Sequence, residues 1–515
     1  MSATRLGKPV TPTWAAWLLP SLGGVIAAYA FFHGLFPAAA WLFARDGDVG
    51  RHIRVGSYIL ETRSIPRVDL FSHTMRGTPF VPYEWLSELL YAGAHRAAGL
   101  AGVTLLAAIL FAATCTLVYW TIVRLGVGRP LAFAAAFVSL ALQNSHFLPR
   151  PHLFTTLLAA IVFALLLEHR RSGRPGLAWA IPPLVLLWAN LHGGFLIAFM
   201  LLAVFLADAA WQALADGGGA GSSRLRTLGL VSGASLLACM VNPAGPEILA
   251  HTTGYLRAEY LVDGTQEYQS PDFHEPADQL FLAVLLLGAA LALFGRARVR
   301  FLEGTLYLLW AAASLYSARN IPIFAVVALP GIAGWASRTV RTVAEDGGGI
   351  PRATAAACAR WADRISRTDA DLGRPVALAV VLLALAALAL SPSGRARYRF
   401  SPEVFPVEAL QAAREAGVRG PVFNQFIWGG YLLYAAYPEI PVFIDGQTDF
   451  YGEKLTREYM RAIGVHEGWD EVLDRYGIAW TMVETRARLN QALALAPGWR
   501  LLHRDSTATI YLRER

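Results

Sequence analysis

Two aspartates and a histidine follow the first long apolar run of the chain, and their side chains suit acid-base or metal chemistry. The segment reads Asp46-Gly47-Asp48, and His52 comes four residues after Asp48. A carboxylate can take the proton from an attacking hydroxyl, and two carboxylates separated by one residue can share a divalent cation such as Mg²⁺ or Mn²⁺. The alternative is a solvated turn, because aspartate and glycine are favoured turn residues. Asp46 and Asp48 are therefore candidates for a catalytic base and for metal ligands.

Further polar side chains occur where other apolar runs begin or end. Ionisable groups beside hydrocarbon are costly and tend to mark sites or pathways. Each of them alone is commonly a helix-end hydrogen bonder, and tryptophan is common at a membrane interface. Their shared placement nevertheless predicts one polar site on one face of the membrane. The candidates for substrate binding are His52, Glu84, Trp85, Arg150, His152, Asn190, His192 and Arg319.

The composition indicates what kind of fold must position these residues. Of the 515 residues, 55% are hydrophobic and 16% are charged. This is more apolar surface than a soluble core can use, so it predicts a polytopic membrane protein in contact with lipids. The formal net charge of +7 comes from arginines in short clusters between apolar runs. That pattern is typical of membrane loops, and no nucleic-acid partner is expected.

Apolar runs of about 15 to 23 residues predict about eleven membrane-spanning helices. Several are short for a bilayer, so we expect tilt or burial among neighbouring helices. The predicted spans lie near residues 14–36, 102–123, 131–147, 153–168, 177–191, 193–214, 227–242, 279–295, 302–318, 321–337 and 376–391.

The basic residues predict the orientation of these spans, because arginine and lysine concentrate on cytoplasmic connections. This places the N-terminus inside and the Asp46 loop outside, with everything after Ser391 also outside. The outer segment from Arg45 to Arg76 is nevertheless rich in arginine. Either its length exempts it from the rule, or some of these arginines meet an anionic ligand such as a lipid phosphate. The inside clusters lie near residues 5–8, 124–129, 170–174, 224–226, 296–300 and 338–374.

The chain divides into two predicted domains. Residues 1–391 form the transmembrane domain, with a large outer loop at 44–100, and residues 392–515 form a small α/β extracytoplasmic domain. In the loop, helices are predicted at 52–60 and 84–98, the second lying at the membrane interface. In the tail, the alternation of apolar residues predicts strands at 422–426, 442–445, 480–484, 499–504 and 509–512, and helices at 431–436, 453–463 and 469–476.

Several stretches together carry a family resemblance. They are Asp46-Gly47-Asp48 with His52 and Gly56, residues 65–72, Glu84-Trp85-Leu86, Arg150-Pro151-His152, residues 188–194, Asn242-Pro243, residues 319–322, Asn424 with residues 428–431, and residues 443–449. In these stretches the chain resembles the GT-C superfamily of polytopic membrane glycosyltransferases, and in particular a bacterial subgroup with a C-terminal extracytoplasmic domain. The resemblance spans nearly the whole chain.

The resemblance implies an inverting transfer of a sugar from a polyprenyl-phosphate donor to an acceptor on the outer face. It assigns the role of base to Asp46 or Asp48, with Arg150 or Arg319 binding phosphate. One alternative is a transporter or flippase, which the apolar midplanes and the absence of an internal repeat oppose. Another is a non-catalytic relative that binds a partner through residues 428–431 and 445–446.

Overall fold

The computed structural model describes residues 17–37, 43, 46–215, 219–255, 260, 266–296, 298–372 and 375–514. This part of the chain does not include the start of the first predicted span, the basic residues Arg5 and Lys8, or Arg45. Helices dominate the described residues, and a small sheet lies near the C-terminus. The prediction of a mostly helical protein is therefore confirmed.

The first half of the chain folds into helices that begin and end near the predicted boundaries. They are α1 (Leu22–Leu35), α2 (Asp48–Thr62), α3 (Trp85–Ala98), α4 (Leu100–Arg124), α5 (Arg129–Asn144), α6 (His152–Ser172), α7 (Pro175–Trp179), α8 (Ile181–Leu191), α9 (Leu196–Ala215), α10 (Ala220–Cys239) and α11 (Glu247–Tyr255).

The second half adds helices and four strands. The helices are α12 (Pro276–Phe294), α13 (Phe301–Tyr316), α14 (Ile321–Val327), α15 (Leu329–Asp346), α16 (Gly349–Asp371), α17 (Pro375–Leu390), α18 (Pro392–Arg395), α19 (Val407–Glu415), α20 (Gly429–Ala436), α21 (Thr448–Gly464), α22 (Trp469–Arg475) and α23 (Arg488–Leu495). The strands are β1 (Val422–Asn424), β2 (Trp480–Glu484), β3 (Trp499–Arg504) and β4 (Ala508–Arg513).

Among the described residues, 4 helices are long and apolar enough to cross a membrane. They are α4, α6, α12 and the continuous segment Gly193–Ala215, which contains α9. Counting each bent helix pair as one span raises the number to 6. The other predicted spans coincide with shorter or less apolar helices, which cross a bilayer only with help from their neighbours. The chain thus has the helices of a membrane protein, whereas the count of eleven spans stays a prediction.

Glycines allow the helices near Asp46 and Asp48 to approach one another closely. A Cβ atom at Gly56 of α2 would lie 1.9 Å from the backbone oxygen of Glu88 in α3. A Cβ atom at Gly34 of α1 would lie 2.9 Å from that of Ala108 in α4. Only glycine fits such contacts. The α2–α3 contact brings His52 beside the first two turns of α3, which fixes one corner of the polar site.

The tail forms a four-stranded sheet in the order β1-β2-β4-β3. Strand β1 is parallel to β2, and the other pairs are antiparallel. Four of the five predicted strands are confirmed, but the predicted strand at 442–445 is wrong. There Val442 forms only an isolated bridge with Ser72 of the loop at residues 44–100. The apolar residues Val442, Phe443 and Ile444 predict burial, and Phe443 and Ile444 are indeed buried in the core of the tail. The backbone at Val442, however, pairs with a distant loop instead of a sheet edge.

The tail packs directly on the loop at residues 44–100. The hydroxyl of Thr74 donates a hydrogen bond to the backbone oxygen of Phe443 at 2.6 Å, and the His73 ring lies 2.9 Å from the backbone oxygen of Val422. A Cβ atom at Gly430 would lie 2.2 Å from the backbone oxygen of Gly47. The loop and the tail therefore pack together around the polar site, and the predicted domain boundary at 391 stays a prediction.

Candidate functional site

Arg150 lies between the two aspartates that follow the first apolar run. Its Nε and Nη2 donate to Oδ2 and Oδ1 of Asp46, both at 2.7 Å, in a bidentate pair. The same Nη2 lies 3.2 Å from Oδ2 of Asp48. The side chain of Asp46 is 0% exposed, whereas that of Asp48 is 22% exposed. Both oxygens of Asp46 thus accept from Arg150, whereas Asp48 makes a single contact with Arg150 and its side chain stays partly exposed.

This arrangement bears on the predicted metal site at Asp46 and Asp48. The guanidinium of Arg150 already occupies the space between the two carboxylates, and its positive charge disfavours a cation there. Burial raises the pKa of Asp48; Arg150 opposes the rise, while Asp46 adds to it. The pair therefore fits proton transfer and orientation of an arginine better than it fits metal binding.

A second polar cluster lies where α2 meets α3. Nδ1 of His52 lies 3.5 Å from Oε1 of Glu88 and 4.0 Å from Oε2 of Glu84. Arg51 lies on the other side of Glu88, with Nη1 at 3.2 Å from Oε1. Among the described residues, His52, Glu84 and Glu88 form a group whose ligand atoms are close enough to hold a metal ion.

The tail completes this cluster from the opposite side. Nε of Arg51 lies 3.6 Å from Oδ1 of Asp445, and its Nη2 donates to the amide oxygen of Gln447. Gly446 lies against Asp48, where a Cβ atom would be 1.9 Å from Oδ1. Burial raises the pKa of Asp445 to about 6, although the charge of Arg51 opposes the rise. The segment 445–447 therefore contacts both the Arg51 cluster and the accessible aspartate.

A cavity of about 450 Å³ opens beside these clusters. Its polar lining includes Glu84, which is the only carboxylate among the described lining residues, and the guanidinium of Arg319. Its apolar lining comes from the ends of α9, α13 and α14 that face this side of the bundle. The other polar and aromatic lining residues include Tyr83, His146, His152, Thr155, His192, His251 and Tyr268, and the apolar ones include Leu196, Ile197, Met200, Trp310 and Ile323.

Glu267 joins the cavity wall to the Arg150 pair. Its carboxylate lies 3.5 Å from Nη1 of Arg319, 3.2 Å from Nε2 of His146 and 4.0 Å from Nη1 of Arg150. Burial alone would raise the pKa of Glu267, but Arg319 and the other cations hold it well below its ordinary value. The guanidinium of Arg319 also lies over the ring of Tyr268, 4.9 Å from its centroid. A continuous chain of charges thus runs from Asp48 to the cavity.

The tail also reaches the cavity wall through Asp449. Its Oδ2 lies 3.2 Å from Nε2 of His251 and accepts from the hydroxyl of Tyr83 at 3.4 Å. Both partners line the cavity. Residues of the tail therefore contact the cavity wall in addition to the loop at residues 44–100.

The structure brings most of the predicted substrate-binding residues together. Glu84, His152, His192 and Arg319 line the cavity. Trp85 and Asn190 hydrogen-bond to each other at 2.8 Å and join α3 to the end of α8. His52 and Arg150 lie beside Glu84 and Glu267 respectively. The two aspartates themselves are not among the lining residues.

Several residues of the site were not among the predicted catalytic, metal-binding or substrate-binding residues. Glu88 has a local signal, because it follows Glu84 by four residues and so lies on the same face of α3. The others come from distant parts of the chain, and no spacing rule connects them with Asp48. They are Glu267 and Tyr268 before α12, and Asp445, Gln447 and Asp449 in the tail.

Comparisons with known proteins identify the fold. No protein-family model matches the chain, and no curated protein matches it. Among solved structures, ArnT from Cupriavidus metallidurans bound to undecaprenyl phosphate superposes with a TM-score of 0.52 at 13% identity, over 95% of this chain and 97% of that one. The apo oligosaccharyltransferase of Archaeoglobus fulgidus superposes with a TM-score of 0.53 at 14% identity, over 90% and 69%. The same enzyme in complex with an inhibitory peptide and a dolichol-phosphate gives a TM-score of 0.50.

Both similar proteins are GT-C glycosyltransferases. The fold implied by the resemblance in the sequence motifs is therefore confirmed: the chain has the GT-C fold. At these identities the similarity establishes the fold, and the chemistry must be argued from the site.

Proposed function

We propose that the chain is a membrane glycosyltransferase that moves a sugar from a polyprenyl-phosphate donor to an acceptor hydroxyl or amine on the outer face. The observation that carries this proposal is the composition of the cavity. One part offers an arginine, histidines and a carboxylate, and another offers aliphatic and aromatic side chains. A lipid with a charged, sugar-bearing head and an apolar tail matches both parts.

The ligands of the similar proteins support a polyprenyl-phosphate donor. ArnT was solved with undecaprenyl phosphate, and the archaeal oligosaccharyltransferase with dolichol-phosphate. In this chain, Arg319 is the cation that lines the cavity, and Arg150 lies one carboxylate further away. Arg319 therefore binds the donor phosphate, and Arg150 acts closer to the aspartates.

The transfer is a single displacement at the anomeric carbon. A carboxylate takes the proton from the acceptor, whose oxygen or nitrogen forms the new bond to C1. The bond from C1 to the phosphate oxygen breaks at the same time, and polyprenyl phosphate leaves as an anion. Attack opposite the leaving group inverts the configuration at C1. Arginine stabilises the departing charge and removes the need for a proton donor.

Of the two predicted bases, Asp48 suits this step better than Asp46. Asp46 uses both oxygens on Arg150 and its side chain is fully buried, whereas the side chain of Asp48 is partly exposed and makes one contact with Arg150. A raised pKa also makes Asp48 a stronger proton acceptor than an ordinary aspartate. Asp46 then orients Arg150. Because Asp48 does not line the cavity, the acceptor reaches it from outside the donor chamber.

Transfer by the purified protein tests this assignment. The protein in lipid nanodiscs is given a panel of polyprenyl-phosphate sugars with outer-face acceptors, and released polyprenyl phosphate is measured. Asp48→Asn should abolish release at unchanged donor binding. Asp363→Asn, an exposed aspartate on α16, is the matched control and should behave as the wild type. Undiminished transfer by the Asp48→Asn variant would contradict the assignment of Asp48 as the base.

A further inference from the structure

We propose that His52, Glu84 and Glu88 form a divalent-cation site at the edge of the cavity. Binding itself can be measured without any transfer reaction. The role that the cation would play for the donor rests on the proposed function.

The three side chains converge from two helices. Each offers one ligand atom, and these atoms all lie within 4.8 Å of one another. Glu84 precedes α3 and Glu88 lies in its first turn, so one helical turn separates the carboxylates on the same face. Gly56 lets α2 approach the backbone of Glu88 and thereby delivers His52. The convergence therefore depends on a glycine contact as well as on the ligands.

His52 provides an independent sign of a missing ligand. The residue is 6% exposed. Its Nδ1 is buried and makes no hydrogen bond to any described residue. That nitrogen points toward the two carboxylates, at 3.5 and 4.0 Å. These are ion-pair distances, too long for a hydrogen bond. A buried nitrogen without a hydrogen bond is costly, and a cation between Nδ1 and the carboxylates would satisfy it.

The surrounding charges favour a cation here over the aspartate pair. Arg51 is the arginine that contacts this cluster, and it also pairs with Asp445 and Gln447 on its far side. Glu84 has histidines within 4.0 Å, His52 and His192, and no arginine within ion-pair distance among the described residues. At Asp46 and Asp48, by contrast, Arg150 lies between the carboxylates. Glu84 is therefore a carboxylate with only histidine ion-pair partners among the described residues, whereas Asp46 and Asp48 both contact Arg150.

The ligand set indicates the class of cation and its purpose. One imidazole nitrogen and two carboxylate oxygens suit Mn²⁺ or Zn²⁺ better than Ca²⁺, which prefers oxygen ligands alone. Three protein ligands leave coordination positions open, as in catalytic metal sites. Because Glu84 lines the cavity, an open position faces the chamber that holds the donor phosphate in the proposed function. The cation would then share that phosphate with Arg319.

Mn²⁺ binding to the full chain tests the inference. Purified protein in nanodiscs is stripped with a chelator and titrated with Mn²⁺, and the free ion is followed by electron paramagnetic resonance. We expect one saturable site per chain, with a nitrogen coupling from a coordinated imidazole in the pulsed spectrum. His52→Ala should remove the nitrogen coupling, and both His52→Ala and Glu84→Gln should weaken binding at least about tenfold.

His95→Ala is the matched control for the histidine. His95 lies on α3, the helix of Glu88, but its ring contacts Tyr434 instead of the cluster. It should bind Mn²⁺ as the wild type does. Glu84→Gln keeps the shape of the side chain, so a folded Glu84→Gln protein keeps the test valid if His52→Ala unfolds.

Two outcomes would overturn the inference: no saturable Mn²⁺ or Zn²⁺ binding by the wild type, or binding by folded Glu84→Gln that equals that of the wild type. A chain that binds Mn²⁺ through these residues but transfers no sugar would leave the metal site standing and remove the proposed function.

Discussion

Arg150 lies at the centre of the site and forms an ion pair with Asp46, whose side chain is fully buried. Removing one member of a buried ion pair leaves an uncompensated charge and typically costs about 3–5 kcal/mol. Arg150→Met should therefore destabilise the chain by that order, because it strands the carboxylate of Asp46. Adding Asp46→Asn to Arg150→Met should recover part of the loss.

Thermal unfolding in detergent, read as a double-mutant cycle, measures this coupling. A destabilisation of the double variant equal to the sum of those of Arg150→Met and Asp46→Asn would show that the pair contributes no mutual stabilisation. The sequence placed both residues near the membrane surface, but it could not predict their bidentate contact, because they lie 104 residues apart.

Asp445 gives the site a pH-dependent contribution to stability. Burial raises its pKa from 3.8 to about 6, against the charge of Arg51. The folded chain therefore binds this proton more tightly than the unfolded chain. The contribution is fully present below about pH 4 and is lost as the pH rises through about 6.

The difference in unfolding free energy between wild type and Asp445→Asn isolates this contribution. The wild-type advantage should fall between about pH 4 and pH 6 and stay constant above that window. The slopes of the two curves of unfolding free energy against pH are compared, so that the separate loss of the Arg51 contact in Asp445→Asn does not enter the comparison. Parallel curves across the window would contradict the raised pKa.

The position of Asp48 depends on the contact between α2 and the tail. A Cβ atom at Gly446 would lie 1.9 Å from Oδ1 of Asp48. Gly446→Ala must therefore displace that carboxylate or the tail segment. A displacement of about 1 Å at a reacting group can cost about 100-fold in rate.

We expect Gly446→Ala to lower kcat by about 10- to 100-fold, with little change in KM for the donor. Gly93→Ala on α3 is the matched control, since a Cβ atom there meets nothing within 4 Å. Steady-state kinetics of sugar transfer measure both. A kcat for Gly446→Ala equal to that of Gly93→Ala would show that the tail does not set the geometry of Asp48.

The sequence predicted most helices and strands, because local patterns of apolar residues determine them. Apolar runs gave the helices, and alternation gave β2, β3 and β4 with nearly the observed ends. The failure at residues 442–445 has a physical cause. Phe443 and Ile444 are buried in the core of the tail, but the backbone there pairs with Ser72 and its neighbours in a loop about 370 residues away instead of joining the sheet. Periodicity records burial but does not identify the partner that supplies it.

The orientation of the whole molecule follows from the basic residues alone and remains a prediction. Cys358 on α16 is exposed, while Cys115 and Cys239 are buried. We predict that a membrane-impermeant maleimide labels Ser506→Cys in the tail, but not Cys358, in right-side-out vesicles. Both should react after permeabilisation, and Cys358→Ser identifies the native signal. Labelling of Cys358 alone in sealed vesicles would invert the assigned orientation.

At the whole-molecule scale, the motifs were sufficient to predict the GT-C fold, but not the shape of the site. Glu84, His192 and Arg319 were selected because they end apolar runs, and all three line one cavity. The cavity also depends on Tyr268 and on the tail residue Asp449, which are adjacent to it only in the folded chain.

The location of a bound donor tests the central claim most directly. The chain in nanodiscs would be imaged by electron cryomicroscopy with a non-transferable polyprenyl-phosphonate sugar. We predict that the phosphonate lies within hydrogen-bond distance of Arg319, with the first isoprene units against Leu196 and Trp310 and the anomeric carbon directed toward Asp48. A phosphonate bound elsewhere while this cavity stays empty would contradict the proposed function.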